Sequence, residues 1–347
     1  MNIDDLFKIA VEREASDLHL VAGHAPVVRI HGKIQSIPDQ PKLTSAQVQD
    51  LAFSILTNKQ RDNFLENKEL DISHEVRGLS RFRVNLHQER GSVGLVARVI
   101  STKIPSMEEI DMPTVVKDLL GYDQGLILLT GATGNGKSTS LASMIEYINT
   151  QRSSHIVTLE DPTEFIFKSK KSLIRQRQLE TDMVSFHQGL VHVLRQDPDV
   201  IMVGEMRDLE TMATTITLAE TGHLVLATLH THNTSQSIDR IIDSFPGSQQ
   251  PQIRLQLSLT LLAIVTQRLV PKVGGGRTAA REILLNTPPV ANLIRENKIP
   301  QIKSVIQTSS KEGMFTMDQG IVDLYNRGAI DKETAQFYLA NADLLKE

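Results

Sequence analysis

The chain has 347 residues, 40% of them hydrophobic, a net charge of −4 and no cysteine. That length suits two domains of about 150 residues each, and the apolar content excludes global disorder. Without cysteine there are no disulfides and no cysteine-ligated zinc, and the near-balanced charge offers no net basic field, so no nucleic-acid partner is expected. The opening MNIDDLFKIAVERE is acidic and amphipathic, unlike a signal peptide. No apolar run reaches the ~20 residues of a membrane span, so a cytoplasmic protein is expected.

Ile3, Leu6, Phe7 and Ala10 recur at helical spacing and predict a first helix. PVVRIHGKI (26–34) alternates around a Gly-Lys turn and predicts a hairpin. LTSAQVQD opens a second helix, with Thr44 and Gln47 as a capping box and Val48, Leu51, Ala52 and Ile55 as its stripe. SRFRVNLHQ (80–88) and VGLVARVI (93–100) read as two strands joined by a glycine-containing turn. Residues 1–100 are therefore expected to form a small α/β, PAS-like domain. STKIPSMEEIDMP (101–113) is polar, has two prolines and no periodicity, and reads as a linker.

From residue 114 short apolar runs alternate with helical patterns: GLILLTG (125–131), HIVTLED (155–161), DVIMVGE (199–205) and HLVLATLH (223–230). Near-continuous apolar runs suit parallel strands covered on both faces. Between the last two runs, Leu209, Met212, Ile216 and Ala219 form a helical stripe ending at Gly222. The expectation for 114–347 is an α/β, RecA-like P-loop ATPase domain with a mainly parallel sheet and its ligand at the carboxyl ends of the strands.

GATGNGKS (131–138) has the pattern G-x-x-x-x-G-K-[ST], preceded by an apolar strand and followed by the helical STSLASMIEYI. Gly131, Ala132, Thr133, Gly134, Asn135, Gly136, Lys137, Ser138 and Thr139 are thus the candidate ATP-binding loop. Lys137 would reach the β- and γ-phosphates and Ser138 would ligate Mg²⁺. Hydrolysis also needs carboxylates near water and metal. Two strand ends supply candidates: Glu160, Asp161 and Glu164 in TLEDPTEF, and Glu205 in VIMVGEMRD.

GATGNGKS, TLEDPTEF, VGEMRDLET and TGHLVLATLHT stand here in the order found in the secretion-superfamily ATPases, and the chain resembles their type IV pilus retraction branch, PilT and PilU. ASDLHL (15–20), RFRVN (81–85), GGGRTAAREILLNTP (274–288) and NLIRE (292–296) extend the resemblance almost end to end. It implies Glu164 as general base, Glu205 acting through Mg²⁺, and Glu160 and Asp161 completing an acidic box. It also implies a homohexamer in which Arg83 and Arg98 approach the phosphates; Arg81 shares the strand parity of Arg83. GATG-GKSTSLA, VIM-GE, LATLH and AIVTQRLVP look more like PilU, whereas GEMRD looks more like PilT. PVANLIRE (289–296) replaces the AIRNLIRE helix of PilT-type motors, with Ala291 where an arginine would stand.

TGHLVLATLHTH carries His223, His230 and His232. On one strand His223 and His230 would lie roughly 23 Å apart on opposite faces, so they cannot share a metal. His230, at the carboxyl end, reads as a phosphate sensor; His223 is open between structural and functional roles. KSKKSLIRQR (168–177) reads as a solvated loop or a subunit or membrane-surface contact.

Together these features point to a Mg²⁺-dependent hexameric ATPase of pilus retraction, peripheral at the inner membrane. Its expected partners are a membrane platform protein and, as a PilU-like accessory, a second retraction ATPase. The alternatives are a PilT-type motor acting alone and, less well supported, an extension or type II secretion motor, whose relatives usually carry a four-cysteine zinc insert. A DNA-dependent RecA-like motor would need a basic channel.

Overall fold

The computed structural model of the chain describes residues 2–30, 32–100 and 103–345. It divides into two compact units, Met1–Lys103 and Ile104–Glu347.

The first unit contains α1 (Ile3–Glu12), β1 (Asp17–Leu20), β2 (Val27–Ile30), β3 (Lys33–Ser36), α2 (Ser45–Phe53), α3 (Asn58–Asn67), β4 (Glu69–Val76), β5 (Ser80–Glu89) and β6 (Ser92–Ile100). The strands form one antiparallel sheet in the order β3-β2-β1-β6-β5-β4. Ile3, Leu6, Phe7 and Ala10 are the buried positions of α1, as their spacing predicts. The Thr44–Gln47 capping box starts α2, and Val48, Leu51 and Ala52 are buried, while Ile55 falls beyond the helix. A second capping box, Thr57–Gln60, starts α3, an element without an apolar stripe to announce it. Phe82, Val84 and Leu86 of β5 enter the core, with Phe82 stacked on Phe7 at 4.2 Å. Strand alternation therefore puts Arg81 and Arg83 on the opposite face. Of the predicted hairpin over 26–34, His31 lies outside the described residues.

The second unit contains α4 (Thr114–Leu119), β7 (Gly125–Thr130), α5 (Lys137–Gln151), β8 (His155–Glu160), β9 (Leu173–Gln178), α6 (Phe186–Val193), β10 (Val200–Val203), α7 (Leu209–Glu220) and β11 (Leu224–Leu229). It continues with α8 (Thr234–Asp243), α9 (Gln250–Thr260), β12 (Leu261–Pro271), β13 (Arg277–Leu285), α10 (Pro288–Arg295), α11 (Ile302–Thr308), α12 (Met317–Asn326) and α13 (Lys332–Tyr338). The sheet order is β13-β12-β7-β11-β10-β8-β9, and every pairing is parallel except β12 with β13. Both faces are dry. Leu126 and Leu128 of β7 join α7, α8 and α9 in one core, whereas Ile127 and Leu129 join α5 in another. This explains the near-continuous apolar runs in the sequence.

Two readings of the sequence need correction. The segment 101–113 is not a free linker as far as it is described: from Ile104 it belongs to the second unit, with Met107 and Met112 buried. Ser101 and Thr102 lie outside the described residues. KSKKSLIRQR is not a loop throughout, because from Leu173 it forms β9, which pairs with β8 at the sheet edge. An edge strand with one covered side needs no long apolar run, so its basic residues hid it.

Candidate functional site

Parallel alignment brings the carboxyl ends of β7, β8, β10 and β11 to one edge of the sheet. A cavity of about 460 Å³ opens there. Its walls include Thr133, Gly134, Gly136, Lys137, Ser138 and Thr139 from the loop after β7. Glu160, Asp161 and Glu164 come from the end of β8, Glu205 and Arg207 follow β10, and His230 follows β11. Gly131, Ala132 and Asn135 instead line a smaller cavity of about 160 Å³ behind the loop.

The loop is shaped for an anion. Gly136 takes φ +77° as the residue before α5, whose first turn has no side-chain cap. The N–H groups of that turn therefore remain available, at the positive end of the helix dipole. Gly131 has φ +144°, and a Cβ there would lie 2.3 Å from the Gln267 carbonyl oxygen, so only glycine fits. Lys137 is 8% exposed, and its ammonium donates to the carbonyls of Gly131 (2.7 Å) and Ala132 (3.1 Å). Burial pulls its pKa below the ordinary lysine range, and the carboxylates of Glu205 and Glu164 oppose that shift.

Glu205 anchors a polar chain across the cavity. Its Oε2 faces His230 Nε2 at 3.1 Å, and its Oε1 pairs with Arg207 Nη2. His230 Nδ1 lies 3.4 Å from Thr133 Oγ1 in the phosphate loop. Arg207 also reaches Asp161 at 3.7 Å. Thr133, His230, Glu205, Arg207 and Asp161 thus link three strand ends to the loop. Arg207 is the member the sequence reading missed. Its only local signal is a cation two positions after a strand-end acid.

Glu160 and Glu164, two of the three acids at the end of β8, differ in exposure. Glu164 is exposed on the cavity wall. Glu160 is buried, and its Oε1 accepts from Thr158 Oγ1 (2.6 Å) and Gln176 Nε2 (2.9 Å). The Glu164 backbone N–H also bonds to the Glu160 carboxylate. Glu160 therefore holds the strand end in shape, and Glu164 presents an accessible carboxylate.

The three histidines go to separate places. His230 joins the cavity. His223 Nδ1 lies 3.0 Å from the Leu218 carbonyl at the end of α7, a capping role. His232 lines the smaller cavity. Arg83 and Arg98 stand on the first unit, directly opposite each other across β5 and β6. Arg98 Nε bonds to buried Asp17 at 3.0 Å, while Arg83 is exposed and makes no ion pair among the described residues.

A parallel sheet with a phosphate loop between strand and helix, and acids on neighbouring strand ends, defines the class of P-loop nucleoside triphosphatases. The chain belongs to the Type II/IV secretion system protein family, which it matches over residues 95–344. It is 45% identical to the type IV pilus retraction ATPase PilT of Pseudomonas aeruginosa, the match covering 97% of each chain. It is 42% identical to the type IV pilus ATPase PilU of the same organism, over 99% of this chain and 89% of that one. A crystal structure of the pilus retraction motor PilT with bound ADP superposes with a TM-score of 0.93 at 46% identity, covering 100% of this chain and 99% of that one.

Burial raises the Glu160 carboxyl above the ordinary glutamate value of 4.5. Between that value and the folded one, the native state keeps a proton that the unfolded chain releases, so stability falls as pH rises through this window. Glu160→Gln should flatten that fall, as urea-unfolding free energies from about pH 4.5 to 8 would show. An unchanged slope would mean that Glu160 is not the buried acid responsible.

Proposed function

We propose that this chain is an ATP-hydrolysing motor of type IV pilus retraction. The observation that carries the reading is the convergence of Lys137, Glu164, Glu205 and His230 on one cavity at the carboxyl edge of the sheet. The loop N–H groups and Lys137 bind the phosphates. Ser138 Oγ and the Glu205 carboxylate are hard oxygen donors suited to Mg²⁺, Glu205 acting through water. Such an ion would neutralise charge on the phosphates. Arg207 and His230 orient the two oxygens of Glu205. Glu164 takes the proton of the attacking water, and its placement depends on Glu160. His230, bridging Thr133 and Glu205, senses whether the γ-phosphate is present.

Arg83 and Arg98 supply further positive charge to the phosphates in a homohexamer, where charge at the leaving diphosphate lowers the barrier. Among the described residues no helix is long and apolar enough to cross a bilayer. The proposed setting is the cytoplasmic face of the inner membrane, against a platform protein of the pilus base.

The accessory, PilU-like reading rests on PVANLIRE. In α10, Val290 and Ile294 are buried and Leu293 packs against the core, which leaves Asn292, Arg295 and Glu296 outside. Ala291 offers no cation to a platform. A primary PilT-type motor is the second reading, favoured by the 45% identity and 97% coverage.

Lys137→Ala should weaken ATP binding, and Glu164→Gln should bind ATP but lose on the order of 10²–10⁴ in turnover. Binding titrations and steady-state phosphate release check both, and wild-type hydrolysis by Glu164→Gln would remove it as the base. Deleting the gene in its host should leave retraction to a second motor. Hyperpiliated cells rescued by this protein alone would instead establish the primary motor.

A further inference from the structure

Gln267 and Arg281 lie beneath the phosphate loop and take no part in the contacts that line the main cavity. Gln267, within β12, is 2% exposed. Its Nε2 donates to the Asn135 carbonyl at 2.7 Å, and the Leu269 N–H donates to Asn135 Oδ1 at 3.2 Å. Both polar ends of Asn135 are therefore fastened to β12. On its other side Gln267 Oε1 accepts from Ser140 Oγ of α5 (2.8 Å) and from Arg281 Nε (3.1 Å). Arg281 faces Gln267 across the β12–β13 ladder and is 3% exposed. Its Nη1 and Nη2 donate to the carbonyls of Asp111 (2.8 Å) and Ile110 (2.9 Å).

An unbroken chain of hydrogen bonds, buried at Gln267 and Arg281, thus runs from Asn135 to the backbone at 110–111. That backbone lies shortly after the boundary at Ile104. The chain ends on a brace, because the Asp111 carboxylate pairs with Arg327, the residue that follows α12, at 2.7 Å.

This arrangement is a costly way to fill a strand pair. Burial lowers the Arg281 guanidinium to about 10, so it is still charged at neutral pH. The side chain bonds to carbonyl oxygens rather than directly to a carboxylate, and an apolar pair of similar volume would avoid the desolvation cost. What the guanidinium adds is geometry: a rigid fork that fits two successive carbonyls. A cavity of about 480 Å³ borders Arg281 beside Asp111 and Arg327, but the backbones on either side of the pair are tightly packed. A Cβ on Gly131 would meet the Gln267 backbone carbonyl oxygen at 2.3 Å, and one on Gly320 would meet the Arg281 backbone carbonyl oxygen at 2.4 Å. Close-packed backbone transmits a displacement rather than absorbing it.

We propose that Gln267 and Arg281 are positioning residues that hold the phosphate loop at Asn135 and carry its nucleotide-dependent displacement to the Ile110–Asp111 backbone. The inference rests on the nucleotide-binding reading of the loop. When phosphate engages Lys137, its bonds to the Gly131 and Ala132 carbonyls are released. The loop remains pinned at Asn135, so the change passes through Gln267 into Arg281.

Hydrogen–deuterium exchange on the full chain, with and without saturating ADP, separates the two claims. ADP should slow exchange both at 131–139 and at 104–113 in the wild type. In Arg281→Lys, which keeps charge and most of the volume, protection at 131–139 should remain and the response at 104–113 should be lost. Gln267→Leu should lose the response at 104–113 as well and weaken ADP binding about tenfold, through the lost bond to Asn135. A wild type protected at 131–139 but unchanged at 104–113 overturns the relay alone, whatever the variants do. A response at 104–113 that survives intact in Arg281→Lys also overturns it. No protection at 131–139 in the wild type would instead overturn the nucleotide-binding reading.

Discussion

The in-register parallel pairing of β7 with β11, of β11 with β10 and of β10 with β8 sets the geometry of the cavity. Each strand contributes nothing reactive along its length, because its side chains are buried in the two cores on either face. Chemistry is possible only where the strands stop. The pairing makes them stop together, so the phosphate loop, the β8 acids, Glu205 and His230 meet although they are far apart in sequence. A slip of one residue in any of these pairings would turn a strand's core face toward the wrong core as well as moving its functional end.

Charge at this edge is balanced locally. Lys137 is largely buried, and the carboxylates of Glu205 and Glu164 offset part of the burial penalty. Glu205 divides its two oxygens between His230 and Arg207. Glu160 is removed from solvent and held by Thr158 and Gln176. The result is that Glu164 stands exposed on the cavity wall, beside Asp161, which Arg207 reaches at 3.7 Å.

The loop and the strand ends were legible because they carry local patterns. Glycines at fixed offsets mark the phosphate loop, and continuous apolar runs mark strands buried on both faces. The stripe of α7 and the capping box of α2 were legible for the same reason. What escaped was polar and distant. Asn135 and Gln267 are separated by 132 positions, and no periodicity connects them. Arg281 reads as an ordinary strand arginine until the sheet places it opposite Gln267. Strand β9 was hidden by its basic edge, and the packing of 104–113 by its prolines and acids, although Met107 and Met112 are the buried anchors. The histidines show both sides of the limit. Strand geometry separated His223 from His230, but only the structure shows His223 capping α7 and His230 bonded to Glu205.

The central claim is that Lys137 and the loop 131–139 receive the phosphates of a nucleotide while Glu205 and His230 read their outer end. A crystal structure of this chain with ADP and Mg²⁺ tests it most directly. The account predicts the diphosphate against the N–H groups at the start of α5. Lys137 Nζ should have turned from the carbonyls of Gly131 and Ala132 onto phosphate oxygen, with the metal beside Ser138 Oγ. Nucleotide bound elsewhere, or bound with Lys137 still on those two carbonyls, would contradict it.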